Sequence, residues 1–145
     1  MKKVFVFSLL IALIVSLGFS QEIDFLMMTG SGAREFIDEV APMFEEETGI
    51  KVNVDFSSWG EGWTKIMAAV ASGEGPDCSQ VGTTWVGALQ ASGAFESLTD
   101  KVDEFGGKDT FLGGPWSTTG YDNEVYALPW FADIRALVYR KDLLE

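Results

Sequence analysis

Asp133 and Arg135 put two opposite charges into an otherwise apolar run, ALPWFADIRALVYRKDLLE, with Trp130 and Phe131 just ahead of them. Read as a strand, this run buries a carboxylate and a guanidinium. An unpaired buried charge costs on the order of several kcal/mol, so each needs a partner. Residues two apart on a strand share a face, which allows Asp133 and Arg135 to pair with each other. The rest of the chemical inventory is narrow. There is no histidine, which excludes serine–histidine triads, histidine general bases and histidine-ligated zinc. Cys78 is the only cysteine, so no intrachain disulfide forms. Catalysis would have to rest on carboxylates, lysine or tyrosine. Paired acids can hydrolyse glycosides, but with 22 acidic residues some pair always lies close, and no motif marks one. Tyr121, Tyr126 and Tyr139 lie in or beside predicted strands and form no cluster of the kind ferric sites use.

The elements that must position these residues alternate between strand and helix patterns. Glu22 to Met28 (EIDFLMM) reads as a first strand, followed by a tight turn, Thr29-Gly30-Ser31-Gly32. From Ala33 to Glu47 the apolar residues Phe36, Val40, Met43 and Phe44 recur at helical spacing between acids, predicting an amphipathic helix facing the core with that stripe. Pro42 predicts a kink or restart within it, and Gly49 its end. Ile50 to Phe56 alternates apolar and polar residues, as an edge strand does. Ser58-Trp59-Gly60-Glu61 has capping-box form and opens a helix with Trp63, Ile66, Met67 and Val70 on one face. Gly73-Glu74-Gly75-Pro76 breaks it. Asp77 to Val81 then reads as a third strand, and Thr84 to Ala91 as a helix.

Beyond Ser92-Gly93 the pattern loosens. Lys101 to Phe105 predicts a helical turn, and Gly106 to Gly120 is rich in glycine and threonine. Glu124 to Leu128 and Ile134 to Tyr139 read as strands, the first after a Tyr121-Asp122-Asn123 turn. The order βαβαβα implies an α/β fold: a mostly parallel sheet with helices on both faces. In such sheets ligands sit beyond the carboxyl ends of the strands.

Residues 1–20 read as a secretory leader, with Lys2 and Lys3 ahead of an apolar core and Gly18-Phe19-Ser20 offering a cut before Gln21. That apolar core is short for a membrane span, so the processed chain is expected outside the membrane, in the periplasm or secreted. No cysteine near the cut offers a lipid anchor. Residues 21–145 then form one domain of 125 residues. Of its 10 basic residues the chain loses Lys2 and Lys3, leaving eight against 22 acids, a formal charge of −14. Such acidity argues against nucleic acid and anionic lipid as partners.

Three blocks, FEEETGIKVNVDF, ASGEGPDCSQVG and YDNEVYALPWFADIRALVYRKDLLE, come in an order that resembles the amino-terminal lobe of bacterial extracellular solute-binding proteins. The resemblance is to the sugar-binding group that includes maltose-binding protein and serves ABC importers. It implies a type II periplasmic-binding-protein-like lobe and a sequence truncated before the second lobe. It also implies a non-enzymatic carbohydrate-binding role with ABC transporter membrane subunits as partners and with no cofactor or metal. A binding protein for an anion or metal, or a carboxylate-based glycoside-processing enzyme, stands as the alternative.

On that resemblance, candidate ligand residues lie after the strand ends. Ser31 belongs to the glycine turn at a helix N-terminus, a natural place for a polar ligand group. Its Gly30-x-Gly32 is no dinucleotide fingerprint, because Glu35 stands at the third glycine position. Trp59 follows the second strand, and Gln80, Thr83 and Trp85 follow the third. Gln80 is equally readable as a residue that satisfies backbone groups at the strand end, while Trp59 and Trp85 lean towards packing. Asp133 occupies a position where sugar-binding relatives often carry a ligand-contacting polar residue, flanked by Trp130 and Arg135. Aromatic faces cover the apolar side of a sugar ring, and hydrogen bonds from charged groups to its hydroxyls contribute about 1.5–3 kcal/mol each.

Overall fold

The computed structural model describes residues 21–30, 32–133 and 136–143, so the leader assigned to residues 1–20 lies outside the described residues, as do Ser31 and Arg135. The chain divides into two compact units, one ending at Gln80 and the other starting at Val81.

The first unit holds β1 (Glu22–Met28), α1 (Ala33–Thr48), β2 (Lys51–Ser57), α2 (Trp59–Ser72) and β3 (Cys78–Ser79). The three strands are parallel in the order β2-β1-β3, with Phe25 opposite Val54 on one side and opposite Cys78 on the other. Leu26, Met27 and Met28 are buried in succession. Side chains alternate across a sheet, so three consecutive buried residues mean that both faces are covered at the carboxyl end of β1. On one face Met27 packs with Ala33 and Ile37 of α1, joined by Phe25, Ala41, Val54 and Phe56. On the other, Lys65 of α2 reaches Asp55 of β2 at 3.0 Å.

Local sequence explains the boundaries. Gly49 ends α1 in the left-handed conformation (φ 73°), and its N–H donates to the Glu45 carbonyl. The Ser58 hydroxyl accepts from the Glu61 N–H at 3.3 Å and itself donates to the Glu61 carboxylate at 3.2 Å. α1 runs through Pro42 without restarting.

Three expectations are corrected. The stripe Phe36, Val40, Met43 and Phe44 does not form the core face of α1: all four residues are exposed, by 37–62%. The helix docks through Ala33, Ile37 and Ala41 instead, at i, i+4 and i+8, packed in one cluster with Met27. The third strand is two residues long, not five. Asp77 caps its start by accepting the Asp24 N–H on its carboxylate at 2.8 Å, so side chains do work that backbone was expected to do.

The second unit contains α3 (Val86–Ala91), α4 (Gly113–Trp116) and three 3₁₀ turns, Thr99–Phe105, Lys108–Thr110 and Lys141–Leu143. Val86, Leu89 and Thr119 are its buried residues among those described. The expected turn is present: Asp122 and Asn123 both have positive φ, and Gly120 ahead of them lies so close to the Glu124 carbonyl that a Cβ would come within 2.1 Å of it. The third correction is here. Neither Glu124–Leu128 nor the described part of Ile134–Tyr139 forms a strand. A strand needs a neighbouring ladder. These backbone groups bond to loops instead: Tyr126 and Ala127 donate to the Thr119 carbonyl, and the Val125 carbonyl accepts from Leu98. Leu137 and Val138 consequently stand 93% and 89% exposed.

Candidate functional site

The carboxyl ends of the parallel strands position the candidates in the first unit. After β1, Thr29 donates to the Ser57 carbonyl at 2.8 Å, which ties the β1 and β2 ends together. Gly30 and Gly32 both have positive φ, and Gly32 caps α1 with no side-chain hydrogen bond. After β2, Ser58 fixes the first turn of α2, so Trp59 opens that helix with 47% of its surface exposed. That exposure corrects the expected lean of Trp59 towards core packing.

Gln80 ends the third strand twice over. Its backbone N–H donates to the Leu26 carbonyl at 2.8 Å, and its side-chain Oε1 accepts the Met28 N–H at 2.9 Å. The side chain thus extends the ladder where β3 stops, which is the structural one of its two readings. Only its NH2 end could serve a solute. Ser57, which the sequence did not single out, is 1% exposed and its hydroxyl has no hydrogen-bond partner among the described residues. Asp77 reads from the sequence as the first residue of the third strand but lies just ahead of it. An acidic side chain following Gly75-Pro76 is the one sequence signal for such a cap.

In the second unit, Thr83 is exposed in the turn that leads into α3, and Trp85 is half-buried at the helix start, its N–H donating to the Gly82 carbonyl. Trp130 and Phe131 lie ring to ring at 5.8 Å and 43°. Asp133 is exposed, not buried as the apolar run suggested. The penalty that would force it to pair therefore does not apply.

Electrostatic perturbations fall elsewhere. The Asn53 side-chain amide, and then the charge of Lys51, lower the pKa of Glu22. Burial of its sulfur, reinforced by the Asp77 carboxylate, pushes the Cys78 thiol up although the residue itself is exposed. Among the described residues no three His, Cys, Asp or Glu side chains are arranged to hold a metal ion. No helix among them is long and apolar enough to cross a membrane. A pocket of about 320 Å³ lies on the sheet between Asp24, Leu26, Asn53, Asp55, Lys65 and Pro76, and it contains none of the candidate residues.

Residues 27–145 match the family model described as bacterial extracellular solute-binding protein. The chain belongs to that family. A Brucella abortus (strain 2308) protein named only as a binding protein is 34% identical over 114 residues, 76% of this chain and 27% of that protein. The solute-binding protein of an ABC transporter from Thermotoga lettingae, solved with α-D-tagatose, is 26% identical with a TM-score of 0.70, over 77% of this chain and 29% of that one. The ABC-transporter-associated binding protein of B. animalis subsp. lactis, solved with β-1,6-galactobiose, is 30% identical with a TM-score of 0.65, over 75% and 25%. The fold is therefore that of a periplasmic-binding-protein-like lobe, a parallel sheet clad in helices. The chain spans 27% of the length of the curated relatives it matches.

Proposed function

We propose that this chain supplies the amino-terminal lobe of a carbohydrate-binding protein that delivers its solute to the membrane subunits of an ABC importer, and performs no chemistry itself. One observation carries the reading: the first unit brings Gly30 and Gly32, both at positive φ, an exposed Trp59 and the Gln80 amide to the ends of its parallel strands, the edge where α/β sheets take ligands. The relatives solved with tagatose and galactobiose support a sugar as the solute class. In this reading Trp59, Trp85 and Trp130 offer faces to sugar rings, and Ser31, Gln80, Thr83, Asp133 and Arg135 offer polar groups to hydroxyls. Residues 1–20 are a leader removed before Gln21, and residues 21–145 act as one lobe outside the membrane. The mass of exported material decides the cut: a membrane-retained species starting at Met1 refutes it.

The test of function is a fluorescence titration of the five tryptophans with sugars, inorganic anions and metal ions. A single lobe wets half of any solute that a closed cleft would bury. Sugar binding in the millimolar range, roughly −4 kcal/mol, is expected. A response to anions or metal ions with none to sugars defeats the proposal, and turnover of a glycoside would replace it with an enzyme.

A further inference from the structure

α1 carries two parallel rows on its outer surface. Phe36, Val40 and Met43, at i, i+4 and i+7, form an apolar row that is 46%, 37% and 62% exposed. Beside it Glu35, Glu39 and Glu46, at i, i+4 and i+11, form an exposed carboxylate row. Glu35 lies in the first turn, where the macrodipole favours an acid, but the rest of the carboxylate row is not what helix stability favours. Like charges four apart repel, and Glu45, Glu46 and Glu47 crowd the carboxyl end, where the macrodipole is already negative and no basic residue stands in the last turn. The only base on the helix, Arg34, is committed elsewhere: its guanidinium lies 3.9 Å above the Phe56 ring.

We infer that this face of α1 docks a basic amphipathic helix of a protein partner, with apolar side chains against Phe36, Val40 and Met43 and cations along Glu35, Glu39 and Glu46. Charge selects among occupants. A second copy of this chain, with formal net charge −12, would bring its own acids against the row. An anionic membrane surface would be repelled in the same way. A cationic partner relieves both the i, i+4 repulsion and the misplaced charge at the helix end, and desolvates the apolar row. The face lies outside the candidate solute residues, so the inference does not rest on the proposed function.

The probe is a fluorescein-labelled synthetic peptide of leucine and lysine patterned as an amphipathic helix, titrated into the purified chain at low and high salt. Binding should weaken with salt. It should fall roughly tenfold or more in the Val40→Ser, Met43→Ser variant, and several-fold at low salt only in the Glu35→Gln, Glu39→Gln, Glu46→Gln variant. The charge variant touches no core residue and should be at least as stable as the parent, which keeps the test valid if the serine variant misfolds. Equal binding by parent and variants, or no binding at all, overturns the inference. A homodimer dissolved by the serine substitutions assigns the face to a second copy and overturns it. Native protein that ignores the peptide, with α1 amides protected from exchange, assigns the face to its own polypeptide and does the same.

Discussion

Replacing Gln80 with alanine tests whether a side chain finishes the sheet. Its Oε1 accepts the Met28 N–H at 2.9 Å, and Met28 is 1% exposed, so water cannot easily take over the bond. A buried donor left unpaired costs about 1–3 kcal/mol. For a unit of this size each kcal/mol lowers the melting temperature by roughly 4–8 °C, so a loss of about 2 kcal/mol predicts a drop of roughly 8–16 °C. Gln80→Glu keeps an acceptor at the same reach and should stay near the parent at neutral pH. Thermal melts followed by circular dichroism give the stability. Amide exchange at Met28 gives the site, and should accelerate in Gln80→Ala but not in Gln80→Glu. An unchanged melt and unchanged Met28 exchange in Gln80→Ala, with sugar affinity reduced, would refute the structural role and leave Gln80 as a ligand residue only.

Glu22 has a folded pKa lowered by Asn53 and Lys51, so its contribution to stability is full above the unfolded value near 4.5 and is lost as pH falls through the lower folded value. Asn53→Ala should flatten that acid limb, and acid titrations of the two proteins by circular dichroism that superimpose would contradict it. Cys78, raised by burial and by Asp77, should react with iodoacetamide at pH 8 more slowly than a free thiol, and Asp77→Asn should speed it; the reverse order on mass spectrometry would count against the cause assigned.

What the sequence by itself determined was set by neighbours a few residues away. β1 falls on Glu22–Met28 as its apolar run implies, because a short β-rich run bounded by a glycine turn leaves little choice. The left-handed end of α1 at Gly49 and the Ser58 cap of α2 are likewise contacts within one helical turn. The absence of histidine closes whole classes of catalysis whatever the fold. The candidate site is legible only as loops after strands: Gln80 offers two roles that composition cannot separate, and the apolar run around Asp133, read as a ligand contact or a buried partner of Arg135, suggests a burial that the exposed residue does not have.

Only the tertiary structure decided matters that depend on partners distant in sequence. Ala33, Ile37 and Ala41 face the core instead of Phe36 and Met43 because that is the side of the helix on which Met27, Val54 and Phe56 of the sheet lie. The third strand shrinks to Cys78–Ser79 because Asp77 and Gln80 satisfy β1 amides some 52 residues back with their side chains. Glu124–Leu128 has the composition of a strand but, among the described residues, no ladder beside it, so its amides turn to Thr119. Propensity is a property of a segment. Burial and pairing belong to whatever the rest of the chain brings alongside it.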